Sequence, residues 1–247
     1  MPIVLITGGA RGIGRATALL AAERGWSVAI NYVANEAAAR QTLTEVEARG
    51  QRGIVFGGDV ADEATVIAMF DAVQTSLGIP DAVVVNAGIV APSMPLADMD
   101  AARIRRMIEV NSYGALLCAR EAARRMPPAL GGQGGSILFV SSMAAKLGAP
   151  FEYVDYAASK GAIDSLTIGL AKELGPDGIR VNAVRPGLIE TEIHASGGRP
   201  DRARELGAGS PLGRAGTAEE VAGAILWLIG PEAGYTTGAL IDIAGGR

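Results

Sequence analysis

Short apolar runs alternate along the chain with longer segments whose apolar residues recur every three or four positions. The apolar runs occupy 2–6, 27–31, 53–56, 82–85, 136–140, 179–184 and 240–243, and they read as strands buried on both faces. Helical periodicity covers 12–24, 36–49, 62–77, 100–125, 154–174 and 218–229. Strand and helix taking turns in this way predict an α/β fold. Right-handed crossovers make it a single domain over 1–247, a Rossmann-type doubly wound parallel sheet of about seven strands. The Gly- and Pro-rich stretch 196–216 interrupts the rhythm and is the candidate for a mobile loop over a ligand.

Composition narrows the function classes. The chain has 247 residues, 49% of them hydrophobic, which is enough apolar matter for a sizeable core and argues against disorder. A net charge of −4 with scattered arginines leaves no nucleic-acid footprint. The single cysteine, Cys118, excludes an internal disulfide, and the single histidine, His194, excludes a multi-histidine metal site, so no metal is expected. Cys118 sits in an Ala/Leu-rich helical run and reads as a buried thiol. No apolar run reaches membrane-spanning length, and the first residues enter a strand directly. The expectation is a soluble, cytoplasmic protein.

Two local patterns carry chemistry. Thr7-Gly8-Gly9-Ala10-Arg11-Gly12-Ile13-Gly14 follows the first strand and opens the first helix. Glycines there permit a tight turn and a close backbone approach to a pyrophosphate, and the helix N-terminus offers free N–H groups to it. No Gly-Lys-Ser/Thr follows, which disfavours a nucleoside-triphosphate loop. The second pattern is Tyr156 and Lys160, four residues apart and so on one face of a helix. A phenol titrates near ~10; an ammonium ~4 Å away at an effective dielectric of ~20 is worth up to ~4 kcal/mol, enough to lower that by roughly three pH units.

With these pieces in order, the chain resembles the classical short-chain dehydrogenases/reductases over almost its full length. The matching pieces are 7–14, Asp59-Val60, Asn86-Ala87-Gly88, Asn111, Ser141-Ser142, 156–160, and Pro186-Gly187 followed by Thr191. The resemblance implies Tyr156 as general acid–base and Lys160 as the group that lowers its pKa and binds the nicotinamide ribose. It implies Ser142 as the hydroxyl on the substrate oxygen, and Asn111 as holder of a water in a proton relay. The usual spacing puts the serine thirteen residues before the tyrosine, where this chain has Met143; Ser142 lies fourteen before, and Ser141 is the alternative. Tyr153 is a second phenol, expected at the pocket mouth or on the loop surface. For the dinucleotide, the resemblance implies Gly8, Arg11, Gly12, Ile13, Gly14, Tyr32, Asn35, Asp59, Val60, Asn86, Ala87, Gly88, Pro186, Gly187, Ile189 and Thr191, together with Tyr156 and Lys160. Asp59 would accept from the adenine amino group.

NADP(H) is favoured over NAD(H). The second strand ends at Tyr32, with no carboxylate to hold a ribose 2′-hydroxyl or repel a 2′-phosphate, and Arg11 supplies a cation. Asn31 and Asn35 could add neutral hydrogen bonds. By resemblance, 190–216 is the substrate-binding loop region. It holds His194, Arg199, Arg202 and Arg204; the arginines read as a solvated face because Asp201 and Glu205 intervene. The substrate would be a small carbonyl compound or alcohol. Small residues Gly161, Ala162, Ser165 and Gly169 on the helix after Lys160 would let another helix approach closely, and the resemblance, in which such helices pair between subunits, implies a homotetramer, with a dimer as the alternative. Competing readings are an inactive dinucleotide sensor of the same fold and a methyltransferase on a similar sheet; the Tyr/Lys pair argues against both.

Overall fold

The computed structural model describes residues 1–247, the side chain of His194 excepted. Seven strands form one parallel sheet: β1 (Ile3–Ile6), β2 (Ser27–Tyr32), β3 (Gly53–Gly57), β4 (Ala82–Val85), β5 (Gly135–Val140), β6 (Ile179–Pro186) and β7 (Leu240–Ile243). Their order is β3-β2-β1-β4-β5-β6-β7. The chain first runs outward from β1 to β3, then returns to the other side of β1 and runs out to β7. The strand order therefore reverses between β1 and β4, and a crevice opens at their C-terminal ends, where open α/β sheets bind ligands.

The strand residues alternate between two cores. Leu5 packs with Phe70, Val83 and Phe139 on one face, while Val4 and Ile6 pack with Val84, Leu138 and Ile225 on the other. Both faces are covered, so the strands carry apolar residues at nearly every position. Cys118 belongs to the first core, and burial pushes its thiol up to about 12. Among the described residues, no helix is long and apolar enough to cross a membrane.

The helices are α1 (Gly12–Glu23), α2 (Glu36–Glu47), α3 (Glu63–Ser76), α4 (Ala101–Ile108), α5 (Gly114–Arg125), α6 (Ala144–Leu147), α7 (Val154–Leu174), α8 (Ile193–Ser196), α9 (Arg202–Gly207) and α10 (Ala218–Ile229). Side chains cap α2, α3, α4 and α10, through Asn35, Asp62, Asp100 and Thr217. No side chain caps α1.

Two findings differ from the periodicity. The segment 100–125 is not one uniform helix: a π-turn, Glu109–Tyr113, separates α4 from α5. The extra residue in that turn places Asn111 inside, a device common at functional sites. The stretch 196–216, expected as loop, contains α9. It belongs to an excursion closed at its base, where Ile189 bridges Gly216 and Glu190 N–H donates to the Gly216 carbonyl at 2.9 Å.

The N-terminal turn of α7 is anchored to α4. Arg103 Nε donates to Asp155 Oδ2 at 2.9 Å, and Asp155 Oδ1 accepts the Tyr156 backbone N–H at 2.9 Å. The two side chains are only 10% and 1% exposed. Arg103→Ala would leave a buried carboxylate unpaired and should cost about 3–5 kcal/mol of unfolding free energy. Arg40→Ala, which breaks an exposed pair with Glu36, should cost less than about 1 kcal/mol. Urea denaturation of the two variants checks the contrast.

Candidate active site

The glycine turn is locked to the loop after β4. Buried Thr7 accepts the backbone N–H groups of Asn86 and Ala87 on its hydroxyl, both at 3.0 Å. Asn86 Nδ2 returns bonds to the carbonyls of Thr7 (2.9 Å) and Gly8 (3.1 Å). Gly12 has φ +50°, a left-handed value that disfavours side chains. A Cβ on Gly14 would lie 2.3 Å from the Gly8 carbonyl oxygen, so only glycine lets α1 start this close to the turn.

Asn31 corrects an expectation. It is buried, accepts Gly8 N–H on Oδ1 (3.3 Å) and donates from Nδ2 to the Gly58 carbonyl (2.9 Å). It ties the turn to the end of β3 and is not available to a ligand. Asn35 uses its side-chain oxygen on Ala38 N–H, at 2.9 Å, as the cap of α2.

A cleft of about 750 Å³ runs along the C-terminal ends of the strands. Every residue predicted for the dinucleotide lines it except Gly14, which lies beneath the turn. The cleft starts at the uncapped N-terminus of α1, whose first-turn N–H groups suit a phosphate. Arg11 stands beside it, exposed and without an ion-pair partner among the described residues. Tyr32 lies at the end of β2 with its hydroxyl over Gly57. Asp59 accepts Ala61 N–H at 3.0 Å and pairs with Arg106, a cation that the motifs did not single out. The donor set and the volume fit a dinucleotide.

Ser142, Tyr156 and Lys160 line the same cleft near its middle. The Ser142 hydroxyl is near enough to the Tyr156 phenol to favour its ionised form, and it also accepts Ala144 N–H at 3.1 Å. Ser141 faces away, its hydroxyl donating to Asp164 at 2.7 Å, so the structure brings Ser142 and not Ser141 against Tyr156. In the loop after Ser142, Ala149 and Phe151 take φ of 44° and 61°, costly values for such side chains.

Lys160 is 4% exposed. Its Nζ donates to the Val140 carbonyl at 2.8 Å and lies 5.7 Å from the centre of the Tyr156 ring. Burial lowers Lys160 to about 8, with Asp164 pulling the other way. Burial also raises Tyr156, against the pull of Ser142 and Arg202. The expected depression of the phenol by Lys160 is therefore not what this site shows. Desolvation outweighs it, because both groups lie deep inside the protein.

Asn111 does not line the cleft. Its side chain accepts Ile89 N–H (2.8 Å) and donates to the Ile89 carbonyl (3.0 Å) and to Ser159 (3.1 Å). The expected water-holding role is thus closed to its amide, which instead pins the loop after β4 beside Lys160.

The far end of the cleft is closed by α9 and the loop before α7. Arg202 was expected on a solvated face. It is instead 13% exposed, pairs with Glu152 at 2.5 Å, and lies over the Tyr153 ring at 5.2 Å. Tyr153 is buried, with its ring edge-on to Tyr156 at 6.2 Å. Arg199 and Arg204 do pair with Glu205 and Asp201 on the outside. Met143, Leu147, Leu188, Ile193 and Leu206 supply an apolar wall. The side chain of His194 lies outside the described residues. Glu152 and Arg202 are fifty positions apart in sequence, so only folding reveals the pair.

Comparison with known proteins agrees with this geometry. A family model described as enoyl-(acyl carrier protein) reductase matches residues 8–247. The chain is 50% identical over 247 residues to a protein of Escherichia coli (strain K12) named uncharacterized oxidoreductase YgfF, covering 100% of both chains. It is 40% identical to an L-rhamnose 1-dehydrogenase (NAD(P)(+)) of Sphingomonas sp. (strain SKA58), over 98% of this chain and 94% of that one. A solved short-chain dehydrogenase/reductase from Serratia marcescens BCRC 10948 superposes with a TM-score of 0.91 at 34% identity, over 99% of this chain and 97% of that one.

Proposed function

The chain belongs to the short-chain dehydrogenase/reductase family and is an oxidoreductase, and on that footing we propose that it moves a hydride between NADP(H) and a carbonyl or secondary-alcohol substrate, with Tyr156 as general acid–base. The observation that carries this reading is that Ser142, Tyr156 and Lys160 line one cleft whose other end is an uncapped helix behind a glycine turn. When bound, the nicotinamide supplies or takes up the hydride.

Tyr156 works as an acid when a carbonyl is reduced. Burial holds its proton on at neutral pH, so the phenol is ready to donate as negative charge builds on the substrate oxygen. Ser142 holds that oxygen by a second hydrogen bond. Lys160 carries the positive charge that offsets the phenolate left behind. Arg202 adds a second positive influence on the phenol. Asn111 acts as a positioning residue for the loop after β4. The segment 190–216 forms the far wall of the substrate pocket, and its apolar side chains with the Glu152–Arg202 pair suit a small substrate with an apolar body and a polar end.

The preference for the phosphorylated cofactor rests on Arg11 and on the lack of a carboxylate at Tyr32. A homotetramer is supported by exposed apolar residues in two places: Tyr113 and Leu116 with Ile168 on one side, Trp227 and Tyr235 on another. A cytoplasmic location accords with a lone buried cysteine.

Four outcomes are expected. Tyr156→Phe should lower kcat for carbonyl reduction by at least about 10²-fold while NADPH still quenches protein fluorescence. In the wild type, reduction should fall as pH rises past about 8, because Lys160 then loses its proton and its positive charge while Tyr156, raised above the ordinary phenol value, still holds its own. Full turnover by Tyr156→Phe on a carbonyl panel would refute the assignment. Arg11→Ala should raise the KM for NADPH about ten- to hundredfold and leave that for NADH nearly unchanged, read from side-by-side kinetics. Sedimentation equilibrium should return four copies; a monomer would overturn the assembly reading.

A further inference from the structure

The end of the cleft under α9 holds two charged side chains to which the proposed reaction assigns no substrate group, Glu152 and Arg202. They are joined to each other, Arg202 Nη2 donating to Glu152 Oε2 at 2.5 Å. The Arg202 guanidinium also lies over the Tyr153 ring at 5.2 Å, and that ring meets the Tyr156 ring at 6.2 Å. An ion pair and an aromatic face thus fix the guanidinium one ring away from the reacting phenol.

Each member of the pair keeps unused hydrogen-bonding capacity. Arg202 Nε is sealed from water without a partner, whereas Nη1 is neither sealed nor bonded among the described residues. Glu152 Oε1 faces Arg199 Nη1 only at 3.9 Å, beyond hydrogen-bond distance. A carboxylate offers about four acceptor sites, so Arg202 and the neighbouring Tyr153 phenol do not exhaust it. The cleft wall therefore presents a free donor and a free acceptor on two bonded side chains.

That combination selects among substrate end groups. An anion on Arg202 Nη1 would sit beside the Glu152 carboxylate and be repelled, and a cation on Glu152 would meet Arg202 in the same way. An apolar end would exclude water from both groups and give them nothing in return. A hydroxyl donates and accepts at once, so it satisfies both and leaves the ion pair intact. Arg199 does not alter this balance, because it is itself paired with Glu205 on the outside at 2.7 Å. Met143, Leu188 and Leu206 supply apolar surface for the carbon skeleton.

We propose that Glu152 and Arg202 are specificity-determining residues, and that the substrate is a neutral hydroxylated carbonyl compound whose hydroxyl, remote from the reacting carbon, is held between Glu152 Oε1 and Arg202 Nη1. The inference rests on the reading of Ser142 and Tyr156 as the place where the carbonyl sits.

Isothermal titration calorimetry of the whole protein, saturated with oxidised cofactor, reads binding while no hydride is available to a ketone. The probes are methyl ketones of graded chain length, each made with a methyl, a hydroxyl or a carboxylate end. At the best chain length the hydroxyl-ended ketone should bind about ten- to hundredfold more tightly than its methyl-ended match, and the carboxylate-ended one should bind most weakly. Glu152→Gln should improve binding of the carboxylate-ended ketone by about tenfold, a gain that a merely structural role would not give. The double variant Glu152→Leu/Arg202→Met replaces both charges with apolar side chains and should bring the ratio of hydroxyl- to methyl-ended binding close to one. Arg202 also acts on Tyr156, and the ratio cancels that influence because both ketones share it. Equal binding of the two ketones by the wild type would overturn the inference, as would a ratio unaltered in the double variant. Tightest binding by the carboxylate-ended ketone would overturn it too and point to an oxo acid. Should the double variant fail to fold, the wild-type series and Glu152→Gln decide the matter. Full turnover by Tyr156→Phe would remove the acid–base assignment and leave the binding ratio standing; a wild-type ratio near one beside an inactive Tyr156→Phe would remove the hydroxyl site and leave the reaction.

Discussion

An ammonium that is 4% exposed has lost most of its hydration, and a protein keeps it charged only by surrounding it with oxygen and a nearby carboxylate. Lys160 meets that condition by donating to the Val140 carbonyl and by having Asp164 one turn further along α7. Much of the neighbourhood serves the same end. The π-turn brings Asn111 inward to hold the loop after β4 beside the lysine, and Arg185 pairs with the Asp164 carboxylate. The phenol beside it is governed by the same desolvation, with the opposite sign: burial disfavours the anion and keeps the proton on Tyr156.

The other half of the cleft depends on backbone geometry more than on charge. Thr7, Asn31 and Asn86 form a web of hydrogen bonds that holds the glycine turn against β3 and β4. None of these three is free to hold a ligand through the atoms so engaged. Their contribution is to keep the N–H groups of α1 aimed at one place, and the missing cap on α1 leaves those groups available. The two halves meet because the strand order reverses between β1 and β4, which puts the turn after β1 beside the ends of β4, β5 and β6.

Period and punctuation in the chain were enough for all seven strands and the long helices, since a parallel sheet covered on both faces needs apolar runs that local sequence displays directly. The Tyr156–Lys160 pair and the glycine turn were legible for a related reason: each is a short-range pattern whose geometry one helix or one turn dictates. The break in 100–125 was not, because the residues around Asn111 are compatible with an ordinary helix and only packing on Lys160 and Ile89 selects the π-turn. The choice between Ser141 and Ser142 likewise depended on a partner twenty-three positions away, Asp164.

Local sequence thus determined which elements form and which residues are candidates for chemistry, because hydrophobic period and short spacings act within one element. Tertiary structure decided how those groups titrate and which are free. Burial reversed the expected shift of Tyr156, closed Asn31 and the Asn111 amide to ligands, and turned Arg202 from a surface charge into a wall of the cleft against Glu152. Desolvation and long-range ion pairs depend on what surrounds a side chain in space, and neighbours in sequence do not specify that.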